Sequence, residues 1–250
     1  MRIYVITAVY NGQATITATC QSVLDQLDPN DHYIVIDGAS TDLTGEYVQQ
    51  FASAFGDRLR YTNEPDTGIY NAMNKGIKQA LETADDNDLI ALLNADDYYL
   101  PGALATVRAA ATQHPEADFI YGDTTFRASQ TDFDRKACAT GMPIEHPTMF
   151  IRAKVYRALG LYDESYRIAG DYEYALRMAD AQLKGIHTGT TLTFFREGGV
   201  STTAIEDSFK EAMRARIQHG ASPLYEHARY RKQKLFEKAY AILNASKKTP

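Results

Sequence analysis

Leu89-Ile90-Ala91-Leu92-Leu93-Asn94-Ala95-Asp96-Asp97-Tyr98-Tyr99-Leu100-Pro101-Gly102-Ala103-Leu104 is the stretch on which the fold turns. Its first five residues are apolar, enough for a buried strand and far too few to cross a membrane. Asn94-Ala95-Asp96-Asp97 follows at once, and Pro101-Gly102 opens a helical pattern. The strand therefore delivers two adjacent carboxylates to its C-terminal end, the edge where open α/β sheets bind ligands. Neighbouring like charges repel, and a divalent cation is the simplest partner that keeps both ionised. Helix capping is the plainer reading of an isolated Asp-Asp pair. The surrounding motifs decide between the two.

On either side, strands alternate with helices. Residues 2–7 form an apolar, β-branched strand, followed by a loop over 8–12 and a helix carrying Ile16, Cys20, Val23, Leu24 and Leu27. A second strand over 32–36 ends in Asp37-Gly38-Ala39-Ser40-Thr41-Asp42, where Ser40 or Thr41 can cap the helix bearing Tyr47, Val48, Phe51 and Phe55. A short strand over 58–62, a helix over 68–81 and a helix over 102–114 complete the run. This rhythm predicts a mostly parallel sheet with right-handed crossovers.

After a strand over 118–123 the pattern changes. Residues 124–139 are polar without a helical stripe and read as an extended or hairpin excursion. Pro147 holds His146 extended ahead of Met149-Phe150-Ile151. A short helix covers 155–161, and Ile168-Ala169-Gly170-Asp171 leads into another, with Tyr172, Ala175, Leu176, Ala179 and Leu183 aligned. A strand over 192–195 runs into Arg196-Glu197-Gly198-Gly199, and the chain is helical from Ile205. The division is one domain over 1–204, with halves 1–123 and 124–204, and a helical tail over 205–250.

The 250 residues are ample for one large core. No run of about 18 apolar residues and no signal pattern occurs. Cys20 and Cys138 fit no metal spacing, which suits a reducing, cytoplasmic setting. The net charge of −6 divides unevenly, with ten Lys/Arg and five Asp/Glu in residues 205–250, so the tail is +5 and the body −11. An acidic body excludes nucleic acid as a partner. The basic tail fits peripheral contact with the inner face of a membrane, and it equally fits packing on the core or pairing in a homodimer.

Five strand-end motifs stand in order: VITAVYN at 5–11, VIDGASTD at 35–42, EPDTGIYNAMNKG at 64–76, LLNADD at 92–97 and AGDYEYALRM at 169–178. Together they resemble the family 2 glycosyltransferases of the GT-A fold, and especially bacterial transferases that build exopolysaccharide or lipopolysaccharide. The resemblance spans about residues 1–200 and leaves the tail outside. It implies a nucleotide-sugar donor, UDP-linked by preference, and Mn2+ or Mg2+ as cofactor. Asp96 and Asp97 match the metal-binding motif, with Asn94 where many relatives carry Asp.

Donor contacts are expected from Thr7, Val9 and Asn11 at the first strand's end, from Asp37, and from Asp66 and Lys75. Asn94 and Asp96 join them at the central loop. Turn and capping chemistry explains each of these positions equally well when it is taken alone. Asp171 matches the family's Glu-Asp motif, with Gly170 replacing the Glu, and is the expected general base; as the start of a helix it also reads as a cap. His146 and Glu173 are candidates on the acceptor side. The Arg196-Glu197-Gly198-Gly199 loop resembles one near the pyrophosphate in relatives.

One carboxylate base with direct displacement implies inversion at the anomeric carbon. The acceptor is expected to be a glycan or lipid-linked saccharide. Without Trp, a QxxRW motif or a membrane span, the chain suits single addition rather than processive synthesis. Two rivals remain. A sugar-phosphate nucleotidyltransferase wants a Gly-rich basic loop after the first strand, and Ala8-Val9-Tyr10-Asn11-Gly12 supplies no Lys or Arg. A non-catalytic nucleotide-sugar-binding scaffold needs no base.

Overall fold

The computed structural model describes residues 1–130, 132–196 and 204–246, with side chains of the last helix described to residue 234. Among them, eight strands make one sheet: β1 (Ile3–Val9), β2 (His32–Asp37), β3 (Leu59–Asn63), β4 (Leu89–Leu92), β5 (Tyr98–Tyr99), β6 (Phe119–Thr124), β7 (Phe150–Arg152) and β8 (Gly185–Phe194). Their order is β3-β2-β1-β4-β7-β6-β8-β5. The first four pair in parallel, β7 runs antiparallel to both β4 and β6, β8 is parallel to β6, and β5 is antiparallel to β8. The Asn94-Ala95-Asp96-Asp97 loop leaves β4 where the parallel half meets β7.

The helices are α1 (Ile16–Leu24), α2 (Thr44–Gln50), α3 (Ala52–Phe55), α4 (Ile69–Leu81), α5 (Ala103–Gln113), α6 (Arg135–Thr140), α7 (Ala153–Leu159), α8 (Gly170–Asp180), α9 (Ile205–Gln218) and α10 (Pro223–Ser246). They cover both faces of the sheet, so β1 is buried at every position. Its period-2 alternation sends Tyr4, Ile6 and Ala8 into one core with α4 and α8, and Ile3, Val5 and Val9 into another with α1 and α5. No helix among the described residues is long and apolar enough to cross a membrane.

The alternation of strand and helix over the first half is as the sequence indicates. Four details differ. Residues 124–139 are not wholly extended: Thr124 and Arg127 close a turn, and α6 follows, capped by the Asp134 carboxylate accepting from Ala137 N–H. This helix is short and buries Cys138 alone, so no apolar stripe marks it. His146 is not held extended but opens a single 3-10 turn over His146–Thr148. Neither Ser40 nor Thr41 caps α2, whose first amide, Thr44 N–H, donates to Asp42 Oδ1. β8 begins at Gly185 rather than 192, in a run where residues 189–191 are exposed and give no apolar signal.

The tail docks on the body through polar contacts. Arg216 Nε meets Glu226 Oε2 at 2.7 Å in a buried pair linking α9 to α10. Arg229 donates to the Ala139 and Thr140 carbonyls at the end of α6. His219 lies between Asp180 and Glu173 of α8. The aliphatic and aromatic side chains of Leu235, Phe236, Tyr240 and Leu243, and the loop residues Glu197, Gly198 and Gly199, lie outside the described set.

Candidate active site

The central loop is held from three sides. Thr19 of α1 points its hydroxyl between the Ala95 and Asp97 carbonyls, at 2.9 and 2.8 Å. From the end of β8, Arg196 N–H donates to Asp97 Oδ1 at 3.0 Å and Arg196 Nε approaches the Asp96 carbonyl at 3.4 Å. Tyr98 stacks on Phe194 with centroids 4.5 Å apart, fastening β5 to β8. Thr19, Tyr98 and Phe194 carry no motif of their own; only the folded contacts reveal them.

Within this frame Asp97 is 1 % exposed, whereas Asp96 is half-buried at the surface. Burial, reinforced by the neighbouring Asp96 charge and only partly offset by the Arg196 amide, pushes the Asp97 carboxyl up to about 7. Asn94 Nδ2 reaches Asp97 Oδ2 at a long 3.4 Å, while Asn94 Oδ1 and the Tyr99 hydroxyl are buried without a partner among the described residues. Buried polar atoms are ordinarily satisfied, and a buried carboxylate ordinarily has a cation. The donor set is all oxygen, suited to Mn2+ or Mg2+. No group of three or more His, Cys, Asp or Glu that could hold a metal occurs among the described residues. The two carboxylates with the unpartnered Asn94 oxygen are oxygen ligands of the kind that suit Mn2+ or Mg2+.

At the neighbouring strand ends the expected donor contacts separate into two groups. Asn11 and Asp66 stand at the edge. Asn11, in a left-handed turn (φ 50°), accepts through Oδ1 from Thr41 N–H, while its own N–H donates to Ser40 Oγ. Asp66 takes Gly68 N–H on Oδ1 at 2.9 Å and lies over Gly38, where an added Cβ would sit 2.2 Å from Asp66 Oδ2.

The others are turned inward. Thr7 is within β1 opposite Val35, and its hydroxyl accepts from Tyr33 OH, so it does not reach the edge. Val9 is buried, its carbonyl taken by Gly38 N–H. Asp37 is fully buried and accepts from Ser40 N–H, Tyr61 OH and Asn63 Nδ2, so it shapes the loop instead of presenting an open carboxylate. Lys75 donates to the Pro65 carbonyl at 2.7 Å and pairs with Glu64 at 2.8 Å, bracing the 64–66 loop.

The helix α4 joins this edge to Asp171. Tyr70 OH donates to the Ile168 carbonyl at 2.7 Å, lies 3.4 Å from Asp171 Oδ1 and accepts from Asp171 N–H at 3.3 Å. A Cβ on Gly170 would fall 2.8 Å from the Tyr70 ring, which accounts for glycine at that place in the motif. Asn71 and Asn74 bind Glu164, and Asn74 also bonds both backbone groups of Tyr162. The half-buried Asp171 carboxylate otherwise accepts only the neighbouring Tyr172 N–H among the described contacts.

His146 is close enough for the Asp171 charge to act on it. Burial lowers its pKa against that charge, its Nε2 has no partner among the described residues, and its ring lies edge-on to Tyr162 at 6.3 Å. Glu173 is not on this side. Two residues along a helix turn a side chain by about 200°, and Glu173 is buried against Arg177 and His219. A cavity of about 280 Å³ borders Asp171, walled by Met142 and Ile168 of the body and by Phe209, Ala212 and Tyr230 of the tail.

A curled sheet flanked by helices, with a carboxylate-bearing loop at the C-terminal end of its central strand, defines a glycosyltransferase of the GT-A fold. The model of glycosyl transferase family 2 matches residues 4–172, and the chain belongs to that family. It is 28 % identical over 212 residues to a PGL/p-HBAD biosynthesis glycosyltransferase of Mycobacterium bovis, covering 82 % of this chain and 81 % of that one. An uncharacterized glycosyltransferase of Mycobacterium tuberculosis is 30 % identical over 185 residues, 70 % of this chain and 68 % of its own. Among solved structures, TarS residues 1–349 of S. aureus in complex with UDP-GlcNAc superposes with a TM-score of 0.68 at 16 % identity, over 90 % of this chain and 69 % of that one. A mannosyltransferase from Pyrobaculum calidifontis with GDP-Man and Mn2+ gives 0.68 at 16 % identity, over 99 % and 75 %.

Proposed function

We propose that this glycosyltransferase is an inverting, metal-dependent enzyme that moves one sugar per encounter from a nucleotide sugar, UDP-linked by preference, to a saccharide or lipid-linked saccharide. The observation that carries the proposal is Asp97, a buried carboxylate raised to about 7 beside two unpartnered polar atoms at the sheet's ligand edge. Such a group wants a cation. Asp96 and Asp97 would hold Mn2+ or Mg2+, with Asn94 orienting Asp97. The bound ion would supply positive charge against the diphosphate. Two relatives of this fold carry UDP-GlcNAc, or GDP-Man with Mn2+, which supports a nucleotide-sugar donor.

Asn11, Asp66 and the backbone after β2 then receive the nucleoside, while the enclosed Asp37 keeps that loop in shape through Tyr61 and Asn63. Asp171 accepts the proton of the acceptor hydroxyl as its oxygen attacks the anomeric carbon. The bond from that carbon to the diphosphate oxygen breaks, and the diphosphate leaves with the electron pair. Attack opposite the leaving group inverts the carbon, through a transition state of oxocarbenium character. His146, kept neutral by burial, supports the acceptor side from within, close enough for the Asp171 charge to act on it. The cavity bordering Asp171 is the acceptor's place.

The exposed Arg231 and Lys232 give the tail a basic side for anionic lipid, consistent with a membrane-held acceptor. Calorimetry of UDP with Mn2+ tests the donor side. Affinity should collapse on chelation and in Asp97→Ala; unchanged affinity in both would remove the metal from the account.

A further inference from the structure

We propose that Glu211, in α9 of the tail, is a positioning residue for Asp171, so that the tail is a working part of the active site. This rests on the reading of Asp171 as the base. The Glu211 carboxylate accepts from three consecutive amides of the segment that delivers Asp171. Arg167 N–H lies 3.0 and 3.1 Å from its two oxygens, and Ile168 and Ala169 N–H lie 2.8 and 2.9 Å from Oε2. Helix α8 has no side-chain cap at its own N-cap residue, Ala169. Glu211, 42 residues away, instead takes the three amides just ahead of the helix, and a negative charge there suits the positive end of the α8 dipole.

The opposite side of the same segment is held by Tyr70, whose hydroxyl takes the Ile168 carbonyl and the Asp171 amide. The turn is thus clamped between α4 of the donor half and α9 of the tail. Asp171 follows it by two residues. Small residues let α9 come this close: Ala212 and Ala215 share the helix face of Ser208 and Glu211, and Ala215 is fully buried. The docking does not depend on Glu211 alone. Arg214 lies 3.7 Å from the Tyr166 ring centroid and donates to the Ser165 carbonyl, Gln218 bonds Tyr166 OH, and His219 lies between Asp180 and Glu173. Truncating Glu211 therefore frees the turn while leaving the helix in place.

The test uses the full chain, Mn2+, and hydrolysis of UDP-GlcNAc, UDP-glucose and GDP-mannose in parallel. Glu211→Ala should lower turnover about 10–100-fold, the scale of a small misplacement of a reacting group, with UDP affinity within about twofold of native. Glu211→Gln should recover much of the loss, because its amide oxygen can still accept from Ile168 and Ala169. Lys210→Ala, on the exposed side of the same helix, should leave turnover unchanged. Glu211→Ala should cost nothing further in an Asp171→Asn background, since the residue acts only through Asp171. Hydrogen exchange at Arg167–Ala169 should quicken at least about tenfold in Glu211→Ala, a readout that needs no turnover. If Glu211→Ala fails to fold, Glu211→Asp carries the same comparisons.

Native-like turnover or unchanged exchange in Glu211→Ala would overturn the proposal, and so would equal losses in the native and Asp171→Asn backgrounds. If Asp171→Asn itself keeps full turnover, the base assignment is what fails.

Discussion

Asp97→Asn should stabilise the metal-free protein at neutral pH while destroying its response to Mn2+. The Asp97 carboxyl sits at about 7 in the fold against an ordinary 3.8, and desolvation is the leading cause. About three pKa units at 1.36 kcal/mol each come to about 4 kcal/mol. The sign follows from the folded value being the higher one. The unfolded chain gives up its proton near pH 4 and the folded one only near pH 7, so stability falls as pH rises between those values and the loss is complete above about 7.

Asparagine carries no charge to desolvate and keeps an oxygen for Arg196 N–H. Its gain over native should approach about 4 kcal/mol at pH 8 in EDTA, an upper bound, and vanish near pH 4. For a chain of this size each kcal/mol moves the midpoint by roughly 2–4 °C, so a rise of about 16 °C is the ceiling. Thermal melts of both proteins from pH 4.5 to 8, with and without Mn2+ and UDP, read this directly. Ligand should raise the native midpoint and leave the variant's unmoved. A variant less stable than native at pH 8 in EDTA would show that the fold needs the carboxylate for itself, and the cation argument would fall.

Three further outcomes follow from the same contacts. Gly170→Ala forces a methyl toward the Tyr70 ring and should cost about 1–3 kcal/mol and lower turnover, checked by urea melts and donor hydrolysis. Tyr70→Phe removes the hydroxyl from the Ile168 carbonyl and Asp171 amide; it should cost about 1–3 kcal/mol in melts and reduce hydrolysis with UDP affinity retained. Flotation with anionic liposomes should show weak attachment that fades at high salt and disappears when Arg231 and Lys232 become Glu. No binding at low salt would leave the tail a packing element only.

The parts of this molecule that sequence made legible are those with local causes. Five apolar residues before Asn94-Ala95-Asp96-Asp97 announce a buried strand ending in acid, and β4 with its loop is that arrangement. What stayed hidden depends on contacts across the chain. Asp37 ends its strand as anticipated, yet Tyr61 and Asn63 from β3 enclose it, and nothing in its own neighbourhood shows that. Lys75 is drawn back onto Glu64 and Pro65, bracing the 64–66 loop. Glu211 lies in a segment with no motif, and its partners are 42 to 44 residues away. Glu173 sits two residues past Asp171, so helical geometry alone turns it to another face. The helix α6 escaped because a single buried turn leaves no period to detect.

The most direct measurement of the central claim is Mn2+-dependent hydrolysis of nucleotide sugars by native protein and by Asp171→Asn, with UDP affinity determined on the same samples. Native protein should hydrolyse at least one donor slowly, and Asp171→Asn should bind UDP and Mn2+ as tightly while turning over about 10²-fold more slowly or less. Turnover preserved in Asp171→Asn, or no hydrolysis of any donor by the native chain, would contradict it.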